Sequence, residues 1–267
     1  MQIEMTERRQ HINRLIGLGA SLLVIVGVLG LFTLFGFLDR QHLSGMKVTV
    51  KHSPETHRLL DSATLYQAIA DLYPMSMAGL SIDSVSLETI EDLYRSNPFV
   101  KECKAYIDKH YMLQIELEER HPLIRILSEN GGNYYVDRDG RSMPVSGNYT
   151  PRTMLATGHI PLLPLNDHVD SNSIHKDIFQ VALAVESDEF MSGFVNEIHV
   201  DKAGNILFYP LVGDFTIRLN NLDQLNHKFE NLKIFLRDGL SRIGWDQYSE
   251  LVIGYENQII GKKIVNP

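Results

Sequence analysis

Hydrophobic positions change period several times along the chain, and each change marks a different kind of element. Residues Leu15 to Leu38 form an apolar run without one charged side chain. At helical rise these 24 residues cover about 36 Å, enough to cross a hydrocarbon core of roughly 30 Å with some tilt. Arg8, Arg9 and Arg14 precede the run together with Glu4 and Glu7. Basic residues rather than acids set orientation, so residues 1–14 are expected to be a cytoplasmic tail. A cleaved signal peptide would carry a shorter apolar core and a small-x-small site. Phe37, Leu38, Asp39 and Arg40 stand there instead, so the run is read as an uncleaved anchor over 15–38, followed by a linker over 39–45.

From Met46 the period falls to two. Met46, Val48 and Val50 alternate with Lys47, Thr49 and Lys51, the pattern of a half-buried strand. Leu65, Ile69 and Leu72 then recur at helical spacing, with Ser62 available as cap and Pro74 as stop. A second helix is marked by Ser86 as N-cap, Glu88 in the first turn and the stripe Leu87, Ile90 and Tyr94; Asn97-Pro98 ends it. Two strands follow, one with Phe99, Cys103, Ala105 and Ile107 on a face, the next with Leu113, Ile115 and Leu117, joined by a turn at Lys109-His110-Tyr111. The order βααββ predicts a small α+β unit over 46–125.

Residues 126–267 read mostly as strand. Tyr134, Tyr135 and Val136 lead into Asp139-Gly140, a hairpin signal because glycine tolerates the positive φ of a tight turn. A further hairpin joins Val195–Val200 to Ile206–Tyr209, and Phe215–Leu219 continues the alternation. Ile178–Val185 predicts an intervening helix, and Leu225, Phe229, Leu232, Leu236 and Leu240 a long one packed on the sheet, with Lys228, Glu230, Lys233 and Arg237 facing elsewhere. The chain returns to strand at Leu251–Ile253 and again from Tyr255 to Lys263. The fold class expected is α+β: one N-terminal membrane helix, a βααββ domain, and a larger, mostly antiparallel β domain with a packed C-terminal helix. A terminal strand is often an edge, whose unpaired N–H and C=O groups can accept an extended segment of another protein.

Composition narrows the function. A formal net charge of -8 without a dense Lys/Arg block leaves no electrostatic footprint for nucleic acid. Cys103 is the only cysteine, so no intramolecular disulfide forms; on a strand's inward face it reads as a small hydrophobe. The 11 histidines lack the paired spacing that places two metal ligands on one face. Glu116, Glu118 and Glu119 read as a solvated acidic face rather than as a general acid, which would need burial. No Gly-x-Ser-x-Gly elbow and no catalytic carboxylate pair appears. Catalytic, cofactor-binding and metal residues are therefore expected to be none, and no small-molecule substrate is implied.

A series of short blocks carries a resemblance. They are Gly79-Leu80-Ser81-Ile82-Asp83, Asn97-Pro98-Phe99-Val100, and Leu113 through Glu119-Arg120-His121-Pro122, a strand closing on an acidic, basic, x, Pro signature. Tyr135-Val136-Asp137, Asp139-Gly140, Leu155-Ala156-Thr157-Gly158, Gly213, Lys228-Phe229, Leu232-Lys233, Trp245 and Tyr255-Glu256-Asn257-Gln258 complete the set. In this order, behind one span, the chain resembles the bacterial cell-division family FtsQ/DivIB over nearly its whole length. The resemblance implies a single-pass type II protein of the cell inner membrane at the division septum, with a POTRA domain (46–125) and a β domain (126–267) in the periplasm. It implies a non-catalytic divisome scaffold that recruits FtsB/FtsL-like proteins, with other partners on the POTRA domain, and couples assembly to septal peptidoglycan synthesis. It places partner binding on the last strands, at Tyr255, Glu256, Asn257, Gln258, Ile259, Ile260, Gly261 and Lys262. The chain departs from the family at Asp108-Lys109-His110-Tyr111, where an Arg-x-x-Pro turn is common, and at Lys262-Lys263, where some members carry an aromatic residue. Two other classes compete: a membrane-anchored enzyme of wall metabolism, for which no catalytic constellation appears, and a POTRA-type assembly or transport factor, which would carry repeats or a barrel longer than this chain allows.

Overall fold

The computed structural model describes residues 19–31, 41–51, 59–147, 149–169, 173–255 and 258–264. Residues 19–31 are helical with exposed side chains. The remainder of the expected span, 15–18 and 32–38, lies outside the described residues, as does the expected tail. Among the described residues no helix is long and apolar enough to cross a membrane.

The chain divides into two compact units. One takes the described residues up to Lys47 with Ile69–Ile90 and Ala105–Ile115; the other takes Val48–Ala68, Glu91–Lys104 and Glu116 onward. The first elements run β1 (Gly45–Lys51), α1 (Ser62–Leu72), a 3-10 turn (Ile82–Ser84), α2 (Leu87–Arg95), β2 (Val100–Ile107) and β3 (Met112–Glu119). Their sheet has the order β1-β3-β2, so the βααββ pattern is present. Helix α2 starts as its sequence dictates, with Thr89 N donating to Ser86 Oγ at 3.2 Å, and it buries Ile90 and Tyr94. Helix α1 corrects the cap: Ser62 is its first residue, and Asp61 Oδ2 accepts from Thr64 N at 3.1 Å. A carboxylate one residue earlier sits at the positive end of the helix and outcompetes a hydroxyl inside it. Tyr111 turns the β2–β3 hairpin at φ 59°. Cys103 is 1% exposed and its thiol is pushed up to about 11 by burial, consistent with a packing role.

Glu119 departs from the acidic face expected of it. Glu116 and Glu118 pair with Lys51 at 2.8 Å and Lys101 at 3.7 Å near the surface. Glu119 is instead fully buried and accepts from Leu60 N at 2.8 Å. Strand alternation puts residue 119 on the face of Leu113, Ile115 and Leu117, and a backbone N–H supplies the partner a buried carboxylate needs.

The second sheet has nine strands in the order β12-β11-β10-β9-β8-β7-β4-β5-β6. They are β4 (Pro122–Ser128), β5 (Asn133–Asp137), β6 (Ser142–Pro144), β7 (Met154–Gly158), β8 (Val195–Val200), β9 (Ile206–Pro210), β10 (Thr216–Leu219), β11 (Tyr248–Tyr255) and β12 (Gln258–Lys263). The helices are α3 (Ser173–Glu186), α4 (Glu189–Phe194), α5 (Leu225–Ile234), a π segment (Phe235–Leu240) and the short α6 (Ser241–Ile243). The predicted hairpins β5–β6 and β8–β9 form, and the overall class is α+β. The sheet is mixed, however: β4–β7, β7–β8 and β10–β11 pair in parallel. Parallel neighbours need a crossover. Helices α3 and α4 supply it between β7 and β8, and α5 with the π segment between β10 and β11. One face of the sheet buries Ile126, Ala156, Ile198, Phe208, Ile217 and Leu251 against Ile178, Phe229, Leu232, Leu236 and Leu240 of the helices. Lys228 belongs to this inner stripe rather than facing elsewhere: it is 8% exposed, and its ammonium donates to Asn221 O at 2.9 Å. Burial holds its pKa below the ordinary lysine value.

The same core contains a histidine that carries a pH prediction. His175 on α3 is 2% exposed, with its Nε2 2.9 Å from Tyr134 Oη, and burial lowers its pKa from the ordinary 6.5. The folded chain therefore holds His175 neutral where the unfolded chain binds a proton. This contribution to stability is complete above pH 6.5 and is lost as pH falls from there toward the depressed value. The denaturation midpoint should decline between about pH 7.5 and pH 5.5, and His175→Gln should flatten that part of the curve. A profile of unchanged slope in the variant would assign the pH dependence to other groups.

Candidate partner-binding edge

A sheet with two ends has two edges, and the ends of this one differ in chemistry. At one end lies β6, three residues long and closed by Pro144, a short strand lacking one donor. At the other lies β12, six residues, QIIGKK, without proline. Among the described residues nothing pairs with its outer side.

Why the chain lays this strand here follows from β11. Leu251 and Ile253 are buried in the core, and β11 pairs with β10 through Thr216↔Glu250 to Leu219↔Ile253. Strand β12 turns back antiparallel along its free side, from Tyr255↔Gln258 to Tyr248↔Lys263, with irregularities between Tyr248 and Glu250 and between Ile253 and Tyr255. Ile259 packs on the core. Alternation then sends Gln258, Ile260 and Lys262 to the opposite, helix-free face, where Ile260 is 49% exposed.

Gly261 is glycine because the ring of Tyr248 occupies the space beside it. A Cβ there would lie 2.4 Å from that ring. Tyr248 in turn meets Phe235 edge-on at a centroid distance of 6.2 Å, so the π segment, β11 and β12 are locked by one aromatic contact. On the helix-free face, Ile260 stands opposite Val252, and Val252 opposite Arg218. The Arg218 guanidinium bonds Glu250 and reaches Asp201 at 3.5 Å, and these carboxylates hold its pKa above the usual value.

The predicted site residues fall into three places. Tyr255 is the last residue of β11 rather than the first of the edge strand; Gln258, Ile259, Ile260, Gly261 and Lys262 form β12. Glu256 and Asn257 lie outside the described residues. The reading of Tyr255–Lys263 as one strand is thus replaced by a hairpin.

Two polar groupings have no counterpart in the sequence analysis. Thr157 donates to Glu197 and lies 2.8 Å from His199 Nδ1 on the helix-free face. A hydroxyl has one proton; with that proton on Glu197, His199 Nδ1 must be the donor to Thr157, the reverse of what a base activating a nucleophile requires. The second is buried. Arg120, 5% exposed, uses Nε on Asp137 at 2.6 Å, Nη1 on Pro98 O and Asn166 Oδ1, and Nη2 on Arg141 O and Ser142 O. All five guanidinium N–H groups are satisfied. The acidic, basic, x, Pro block could have signalled it, since a buried Arg demands fixed acceptors. Among the described residues no group of three His, Cys, Asp or Glu side chains is arranged to hold a metal ion.

No curated protein matches the sequence. The family model described as FtsQ/DivIB, C-terminal related, matches residues 121–262, more than half of the chain and every strand of the nine-stranded sheet. With its blocks distributed over that sheet and its last strand at the margin, the chain belongs to the FtsQ/DivIB family of cell-division proteins.

Proposed function

We propose that this chain is a single-pass membrane scaffold of the divisome that captures an extended segment of an FtsB/FtsL-like partner on β12. Family membership gives it a part in cell division, in a family of non-enzymatic division proteins. The finer reading adds a span over 15–38 with 1–14 in the cytoplasm, a linker over 39–45, a POTRA domain over 46–125 and a β domain over 126–267 at the septal inner membrane. Through the partner, assembly is coupled to septal wall synthesis, while the POTRA domain meets other division proteins.

The observation that supports this reading is the position of β12 at the open end of the sheet. Its outward backbone groups can pair with an added strand, which supplies affinity, and its alternating side chains select the sequence that fits. On this reading the docking rail is β12, the outer strand paired antiparallel to β11. Substituting Ile260→Pro removes one ladder donor at the middle of β12. Recruitment of the partner to midcell should be lost while the variant remains in the membrane at normal level; normal recruitment would end the edge assignment.

A further inference from the structure

The edge has a charge pattern that narrows what it accepts, and this deepening rests on the docking reading above. On the helix-free face, β12 and the residue after it present Ile260, Lys262 and Ile264 in succession, with Ile260 49% and Ile264 44% exposed. On the other face stands Lys263, also exposed. Neither Lys262 nor Lys263 forms an ion pair with another described residue, although Glu250 lies directly opposite Lys262 in the register. Glu250 is already engaged by Arg218, so the Lys262 ammonium remains available to an incoming strand. The chain as a whole is acidic, at a net charge of -8, which makes two adjacent free cations on an open edge a local inversion of its field.

Edge lysines oppose pairing with strands of like charge. A strand that carries carboxylates at the matching positions turns the same feature into attraction, because cross-strand opposite charges stabilise and like charges destabilise. The geometry fixes the pattern. A residue facing Lys262 lies on the helix-free face; its neighbour faces Lys263 on the other; residues two away on either side meet Ile260 and Ile264.

We infer that β12 selects an acidic extended protein segment with the order apolar, acidic, acidic, polar, apolar, docked antiparallel. In that order the two ends of the motif cover Ile264 and Ile260, and the two acids meet Lys263 and Lys262. A basic strand, or a second copy of β12 bringing its own lysines, is disfavoured by the same charges.

The test uses the full chain in detergent micelles and three fluorescent peptides built on Val-Glu-Glu-Thr-Val within Ser/Thr flanks: the acidic form, its Gln-Gln analogue and its Lys-Lys analogue. Anisotropy titrations should rank acidic over Gln over Lys, with roughly fivefold between steps per charge pair at low salt. Raising salt from about 50 mM to about 500 mM should compress the ranking. The double variant Lys262→Glu, Lys263→Glu should reverse it, which a general loss of fold cannot do. Equal binding of all three peptides, or no binding of the acidic one, overturns the charge selection. The Ile260→Pro chain separates the two layers. If it weakens all three peptides alike while the wild-type chain shows no ranking, the docking edge survives without its selectivity; if it leaves acidic-peptide binding unchanged, the edge reading itself falls.

Discussion

Replacing Arg120 with methionine is expected to lower unfolding stability by about 3–5 kcal/mol, because it leaves the Asp137 carboxylate buried without its cation. The side chains of this pair are 6% and 3% exposed. Asp137 Oδ1 still accepts from the backbone N–H of Asp139 at 3.0 Å and Arg141 at 2.8 Å, which supports the charge only in part. The Pro98 carbonyl loses its donor at the same time, an orphaned acceptor that adds to the penalty, while those of Arg141 and Ser142 keep the backbone N–H groups of Asp137 at 3.0 Å and Asn166 at 3.2 Å. For a chain of this size the loss corresponds to a fall in melting temperature of roughly 6 to 20 °C. Lysine should rescue little, since a single ammonium cannot span the five acceptors a planar fork reaches. Thermal and chemical denaturation of the Arg120→Met and Arg120→Lys variants check this. A loss below about 1 kcal/mol in both, the size of an exposed pair, would mean the network is dispensable.

The second large effect is expected at Gly158, which ends β7 at φ +93°. A Cβ there would lie 2.2 Å from the carbonyl oxygen of Val200, and that oxygen is held by the His159 N–H at 2.8 Å. Because the first side-chain carbon is what collides, Gly158→Ala should cost nearly as much as Gly158→Val. We expect at least about 3 kcal/mol, combining left-handed backbone strain with displacement of the β7–β8 ladder. Gly147→Ala is the control: nothing lies within 4 Å of its Cβ and its φ is not positive. That change should be neutral, so a wide gap between the two glycines in urea titrations supports the assignment. Equal midpoints would contradict it.

Much of this architecture was written locally. The Asp139-Gly140 and Asp201–Asn205 turns could be read because a two- to five-residue connection between alternating segments has few geometries. In the second, Asp201 Oδ1 accepts from Ala203 N at 2.8 Å and Asn205 N at 2.9 Å, chemistry visible in the sequence itself. Strand pairing across long connections was not legible in this way. The spacing at Ile178–Val185 and from Leu225 to Leu240 predicts helices, and helices stand there, but that they are crossovers making β7–β8 and β10–β11 parallel depends on where the chain returns, which no local pattern states. Glu119 and Lys228 escape the local pattern for a different reason. Both are charged, yet both sit at the periodic positions of a buried stripe, and there spacing outweighs charge. The partners that make burial tolerable, Leu60 N and Asn221 O, are remote or backbone groups. At the docking edge, the terminal position of β12 followed from order in the chain, whereas its separation from Tyr255 did not. The run from Tyr248 to Lys263 stays strand-like in its hydrophobic pattern, so nothing local announces that β11 ends at Tyr255 and β12 begins at Gln258.

The most direct measurement is photocrosslinking in dividing cells from single positions along Gln258 to Lys263, with capture identified by mass spectrometry. A rail for an added strand places its neighbour within reach along its whole length, so successive positions should trap one FtsB/FtsL-like partner, and Ile260→Pro should abolish the captures together. Capture of that partner from none of these positions, with capture instead from the face carrying Thr157 and Tyr209, would contradict the account.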